Sequence, residues 1–115
     1  MIITRTITAG ILAAALAVGG MAAAQSQDGQ NRRIRVHNQT GVGLAKLQAA
    51  DVRSGNYGAD LLGGTAVEAG ASRLLTIDDG QGGCLYDLRA ELAGGQTLVR
   101  ENVNVCRIAD YYLTR

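Results

Sequence analysis

The chain has 115 residues, which is enough for one small domain, and its side chains carry a formal net charge of +1 at pH 7. This near-neutral balance excludes the electrostatic signature of a protein that binds nucleic acid, an anionic membrane surface or a polyacidic partner. The sequence contains 4 Tyr and 2 Cys but no Phe, Trp or Pro. The core must therefore be built mainly from Leu, Val and Ile, and a core this small benefits from a covalent cross-link.

The first 24 residues have the organisation of a secretory signal peptide. Arg5 supplies the positive start, residues 7–20 form an apolar run, and residues 22–24 are the small Ala residues that precede cleavage before Gln25. A permanent membrane anchor is the alternative, but the run is short and rich in Ala and Gly for crossing ~30 Å of hydrocarbon. We therefore predict a periplasmic or secreted protein that is not attached to the membrane after cleavage.

The first strand is predicted from alternation. After a polar lead at residues 25–31, which we expect to be disordered, Ile34 and Val36 point one way from a strand over residues 32–38. The short basic cluster there is interpreted as a solvated strand edge, because positive side chains blunt exposed edges. The cluster comprises Arg32, Arg33 and Arg35.

The second strand is predicted over residues 42–50, where Leu44 and Leu47 are three positions apart. A β-bulge would turn both side chains inward, and a helical turn would do the same. The glycine-rich loop at residues 51–64 follows. In it Asp60 is a candidate cap for a short helical turn that stops at Gly63. The apolar side chains expected to pack this loop down are Tyr57, Leu61 and Leu62.

Further strands are predicted at residues 65–68, 72–77 and 108–113, and a hairpin at residues 83–107. With a two-residue turn at Gly94 and Gly95, the numbers of opposite residues in the hairpin sum to 189. This register predicts a core face made of Tyr86, Leu88, Val99 and Val103.

The two cysteines lie at the outer ends of that hairpin. A pair in an exported chain predicts a disulfide between Cys84 and Cys106, although the predicted register leaves them one residue out of phase. We therefore expect a bulge or a strand end at Val105 or Cys106. The alternative of a redox-active pair is weaker, because catalytic dithiols usually have the Cys-x-x-Cys spacing.

Together these elements predict an all-β fold, a small antiparallel β-sandwich of about six or seven strands, preceded by a signal-peptide helix. The domain organisation is a signal peptide at 1–24, a lead at 25–31 and a sandwich domain at 32–115.

No catalytic constellation stands out. His37 is the sole histidine and is expected to face solvent at a strand end, and the calcium-loop pattern that would engage Asp51, Asn56 and Asp60 is absent. We predict no catalytic residue, no metal site and no cofactor. A hydrolase that uses Asp60, Asp87 or His37 is an alternative.

Four motifs follow the signal peptide in a fixed order, between residues 34 and 106. They are NQTG at 38–41, NYGADLLG at 56–63, CLYDLR at 84–89 and VNVC at 103–106. This order resembles a family of small exported proteobacterial proteins of undefined biochemical function. That family commonly has Asp-Trp where this chain has Asn56 and Tyr57, which weakens any role for an acid there. The resemblance implies an exported β-sandwich and supplies no activity.

We therefore expect a non-enzymatic, monomeric binding module with an unidentified periplasmic or extracellular partner. Its contact surface is predicted to be the loop that carries Asn56, Tyr57 and Asp60, because loops on a rigid scaffold carry recognition. The alternative is a structural, envelope-associated protein without a ligand of its own.

Overall fold

The computed structural model describes residues 29–115, so the predicted signal peptide and most of the polar lead lie outside the described residues. Within that range the chain forms strands and turns without a helix. The six strands are β1 (Arg33–Asn38), β2 (Leu44–Asp51), β3 (Ser72–Thr76), β4 (Leu85–Leu92), β5 (Thr97–Asn104) and β6 (Asp110–Leu113).

The strands form two three-stranded sheets. The first sheet has the order β3-β1-β6 and the second sheet has the order β2-β4-β5. Three of the pairings are antiparallel, whereas β1 and β6 run parallel, which the sequence did not predict. The inner faces of the two sheets share one core, as the predicted β-sandwich requires. That core includes Ile34 and Val36 from the first sheet and Leu47, Tyr86 and Leu88 from the second.

The first two strands confirm the predicted alternation. Ile34 and Val36 are fully buried, and the register of β2 against β4 shifts between Leu44 and Lys46. This irregularity turns both Leu44 and Leu47 into the core, so the bulge is correct and the helical turn is not. The strand predicted at residues 65–68 is reduced to a single bridge between Val67 and Leu44.

The interpretation of the basic cluster as a solvated edge is wrong about the edge and about Arg32, whereas the other two arginines of the cluster are exposed to solvent as predicted. β1 is the central strand of the first sheet, and Arg32 is only 2% exposed. The Arg32 guanidinium donates from Nε to Gly83 O at 2.6 Å, lies 3.8 Å from the Asp78 carboxylate and approaches Cys84 Sγ at 3.9 Å. Burial of this charge is possible because hydrogen bonds and a counter-charge replace water.

The hairpin between β4 and β5 turns through three residues rather than two. Leu92 N–H donates to Gln96 O at 2.8 Å, so the loop comprises residues 93–95. The register next to the turn is therefore one residue away from the predicted one, and Arg89 faces Val99. Val99 is 45% exposed on the outer face of the sheet, and the prediction that it lies in the core is wrong.

A bulge in β5 restores the predicted register further along the hairpin. The shift lies between Tyr86 and Leu88, where two residues of β5, numbers 101 and 102, oppose one residue of β4. Asn102 has a φ of 57°, and its N–H donates to Asp87 Oδ1 at 2.9 Å. Beyond the bulge Tyr86 faces Val103, as predicted.

The disulfide closes the open end of this hairpin. The Cys84 and Cys106 sulfurs are 2.04 Å apart, with their Cα atoms 5.3 Å apart. Strand β5 ends at Asn104, which was one of the two predicted solutions, and no bulge occurs at Val105 or Cys106. Val105 is fully buried, and its N–H donates to Cys84 O at 2.9 Å.

Candidate functional site

The carboxylate of Asp60, one of the predicted contact residues, is engaged by the backbone of its surroundings. Its Oδ1 accepts the N–H groups of Leu47 and Leu62, both at 3.0 Å, and its Oδ2 accepts Gly64 N–H at 3.2 Å. Desolvation alone would raise the pKa of Asp60, but the three N–H donors together hold the pKa below its ordinary value. Asp60 thus ties the loop to β2.

The same loop covers the edge of the second sheet. Leu61 N–H donates to Leu47 O at 2.7 Å, and Gly58 N–H donates to Ala49 O at 3.1 Å. These bonds satisfy β2 backbone groups that a bare edge strand would offer to another chain. Leu62 is buried beneath the loop and is 5% exposed.

Tyr57, the second predicted contact residue, supports a cation on the outer face of the second sheet. The Arg89 guanidinium carbon lies 4.2 Å from the centre of the Tyr57 ring, which is cation–π geometry. Nε and Nη2 of Arg89 both donate to Gln48 Oε1, at 3.3 Å and 2.9 Å. Gln48 in turn donates to Gly58 O at 2.9 Å, which links this cluster to the loop.

Asn56, the third predicted contact residue, is exposed, and its N–H donates to Ser54 Oγ at 3.2 Å. The three predicted residues therefore share one loop but differ in role. Asp60 accepts hydrogen bonds from backbone N–H groups, the Tyr57 ring stacks on the Arg89 guanidinium, and Asn56 is exposed to solvent.

A cavity of about 370 Å³ opens on the same outer face. Every lining side chain is polar: Lys46, Gln48, Arg89, Glu91 and Thr97. Lys46 and Glu91 are neighbours across β2 and β4, and Glu91 and Thr97 are neighbours across β4 and β5. We call this group the Arg89 cavity. The predicted core face of the hairpin, with Tyr86 and Leu88 inward, implies that Arg89 points outward, but nothing in the sequence indicates its contact with Tyr57, which is 32 positions away.

A second cavity, of about 340 Å³, is lined by groups that pair with one another. Arg53 Nη2 donates to the Asp51 carboxylate at 2.6 Å, and Tyr86 OH donates to Asp79 Oδ1 at 2.8 Å. Burial, with the hydrogen bond to Asp79, raises the pKa of Tyr86 to about 12. These partners make the cavity wall a structural network.

His37 lies on the outer face of the first sheet, with a quarter of its side chain exposed. Its Nε2 is 2.8 Å from Asp110 Oδ1, and its ring stacks on Tyr112 with centroids 4.5 Å apart. The sequence placed His37 correctly on the polar face of its strand but identified neither neighbour.

The NQTG motif is a structural centre. The Asn38 side chain is fully buried, and its Nδ2 donates to three carbonyl groups, those of Val42, Val67 and Glu68. Its Oδ1 accepts Thr40 Oγ1–H at 2.6 Å. This motif therefore joins β1 to the two following segments.

The residues of the hydrolase alternative belong to three separate hydrogen-bonded units. His37 contacts Asp110, Asp60 contacts the β2 edge, and Asp87 accepts Asn102 N–H. No hydrogen bond in residues 29–115 joins any two of His37, Asp60 and Asp87.

The described part of the chain has no helix long and apolar enough to cross a bilayer. In the same residues no group of three or more His, Cys, Asp or Glu side chains is arranged to hold a metal ion. Comparison of the chain with protein-family models, curated proteins and solved structures found no match.

Proposed function

We propose that the protein is an exported binding module whose contact surface is the 56–63 loop together with the Arg89 cavity. The observation that carries this proposal is the stacking of Arg89 on Tyr57 beside a polar cavity. A guanidinium held in one orientation on a surface loses little conformational freedom when it binds, so it suits recognition. The β-sheet beneath gives that surface a rigid base.

Export is supported by the disulfide, which is consistent with an oxidising compartment. We propose that residues 1–24 direct the chain to the periplasm or beyond and are then removed. Mass spectrometry of the periplasmic fraction tests this. The expected chain starts at Gln25 and is lighter than its reduced form by the mass of two hydrogen atoms. An intact N-terminus in the membrane fraction overturns this part of the proposal.

Binding is tested with arrays of glycans, peptides and lipids probed with the wild-type protein, a Tyr57→Leu variant and a Tyr112→Leu control. Tyr112 is 56% exposed and lies on the other sheet, so it matches Tyr57 as a surface tyrosine outside the proposed site. We expect array signals that Tyr57→Leu abolishes and Tyr112→Leu preserves, with similar melting temperatures.

Two results overturn the binding proposal. Wild-type protein that binds nothing in any class supports a structural, envelope-associated role. Equal binding by Tyr57→Leu and wild type places the contact surface elsewhere. An Asp60→Asn variant is a separate check of the loop. It should lower the melting temperature, because an amide nitrogen cannot accept one of the three N–H bonds that the carboxylate accepts.

A further inference from the structure

The Arg89 cavity has the volume of a small-ligand site and a lining made of polar side chains. Its volume of about 370 Å³ lies within the ~300–1,000 Å³ that such sites occupy. Its walls come from three adjacent strands, β2, β4 and β5, so the backbone that carries the polar side chains belongs to a sheet rather than to a loop.

Arg89 is held in place yet keeps donors for a ligand. Tyr57 supports the plane of the guanidinium, while Gln48 Oε1 accepts from Nε and Nη2. Nη1 makes no hydrogen bond to any residue from 29 to 115. Arginine is suited to carboxylate recognition because its planar fork matches the two carboxylate oxygens.

The formal charges of the cavity favour a ligand with one negative charge. Lys46 and Arg89 are positive, and Glu91 is the single acid in the lining, so the side chains sum to +1. Lys46 and Glu91 are not within ion-pair distance of each other among the described residues. Lys46 attracts the nearby Asp60 carboxylate, but that carboxylate accepts its hydrogen bonds from three backbone N–H groups. The Glu91 carboxylate and the Thr97 hydroxyl are suited to hydrogen-bond with ligand hydroxyl groups.

From these features we propose that the Arg89 cavity binds a hexuronic acid residue of an acidic glycan. The sugar carboxylate pairs with Arg89 and Lys46, and its hydroxyl groups bond to Glu91 and Thr97. A peptide carboxyl terminus fits less well, because the lining has no apolar side chain to receive a peptide side chain. This proposal rests on the proposed function and names its ligand class.

The test is isothermal titration of the wild-type protein with glucuronate and galacturonate, and with the matched neutral sugars glucose and galactose. We expect both uronates to bind at least about tenfold more tightly than the neutral sugars, since a bond to a charged group contributes about 1.5–3 kcal/mol and 1.4 kcal/mol is tenfold. At equal sugar concentration, amide resonances of residues 46–48, 89–91 and 97 should shift more with the uronate than with the neutral sugar.

Variants then assign the carboxylate contact. Arg89→Gln should weaken uronate binding about tenfold or more. Lys46→Gln, an exposed change that leaves the Tyr57 and Gln48 contacts in place, should also weaken it. Arg33→Gln is the matched control, because Arg33 is exposed on the other sheet, and it should bind uronate like the wild type.

Equal affinity for neutral sugars and uronates overturns the ligand class, as does tighter binding of a peptide with a free carboxyl terminus. If uronates fail while a Tyr57-dependent array signal persists in another class, the binding module stands and the uronate proposal fails. If no class binds, both proposals fail.

Discussion

At the scale of single residues, the pair formed by Asp51 and Arg53 ties the end of β2 to the loop before the hairpin. Asp51 is 3% exposed and accepts both the Arg53 side chain and the Arg53 backbone N–H, the latter at 2.9 Å. Arg53 also donates to Gln81 O at 3.1 Å. The side-chain bond from Arg53, followed by its N–H, lowers the pKa of Asp51 from 3.8 to about 2.

This pKa predicts a defined acid sensitivity. Because the folded pKa lies below the ordinary value of 3.8, the ionised Asp51 stabilises the fold above about pH 4, and that stability is lost as the pH falls toward 2. Urea unfolding of the wild type and of Asp51→Asn should give free energies that converge over this range. A difference that stays constant from pH 6 to pH 2 would assign the acid sensitivity to other carboxylates.

Gly83 has no room for a side chain. A Cβ at this position would collide with the Asp51 carboxylate and with Arg53 Nη2. We expect Gly83→Ala to destabilise the protein by about 1–3 kcal/mol, the usual cost of overpacking. Gly58→Ala is the control, because its Cβ would meet no atom closer than Ala49 O at 4.0 Å. Chemical denaturation measures the free energy of unfolding of both variants. Equal values would show that the Asp51 side chain can move away from the new Cβ at no cost in stability.

At the scale of elements, the bulge in β5 depends on a left-handed residue. The φ of 57° at Asn102 is tolerated by Asn and Gly but is strained for β-branched residues. We predict that Asn102→Gly keeps most of the stability and that Asn102→Val costs about 1–3 kcal/mol. Glu101→Val introduces the same side chain at an exposed neighbour without positive φ, so it should cost less. Thermal unfolding distinguishes the two valine variants, and equal losses would argue against backbone strain.

Patterns within short stretches of the sequence correctly predicted the first two strands and their inward faces. The alternation around Ile34 and the three-residue spacing of Leu44 and Leu47 gave the correct inward faces. Val99 was misplaced because a glycine pair is compatible with a two-residue or a three-residue turn, and these choices put opposite faces inward. The bulge at Asn102 compensates for the longer turn. Beyond the bulge, the register in the structure is therefore the same as the register predicted from a two-residue turn.

At the scale of the whole molecule, contacts between distant segments were beyond sequence reasoning. Arg32 is buried because Gly83 O, 51 positions away, accepts from its Nε. The Arg89 cavity is lined by residues of three strands, and its Arg89 stacks on Tyr57 of the loop, a combination that no spacing in the chain predicts. The loop itself was recognised from its composition, and Tyr57 from its place in that loop. The pairing of β2, β4 and β5, which places the cavity residues beside this loop, does not follow from local sequence patterns.

The disulfide gives a prediction for the domain as a whole. It joins positions 22 apart, and the chain-entropy model assigns such a loop about 3 kcal/mol of stability. A Cys84→Ser/Cys106→Ser double variant should lose roughly this amount in urea unfolding, a large share of the ~5–15 kcal/mol typical of a domain. Wild-type protein kept in excess dithiothreitol should have the same free energy of unfolding as this double variant. An unchanged midpoint would mean that the hairpin is already ordered in the unfolded chain.

The bulge at residues 101–102 also determines which changes in strand length this hairpin tolerates. Loss of one residue inside a strand normally inverts every side chain beyond it. Removal of Asn102 instead leaves one residue opposite Asp87 and keeps Tyr86 facing Val103, so both ladders join into one regular strand. Homologues one residue shorter at this point are therefore compatible with the same core. A deletion variant lacking Asn102 should be more stable than one lacking Val99, because loss of Val99 places the charged Glu101 opposite the buried Leu88.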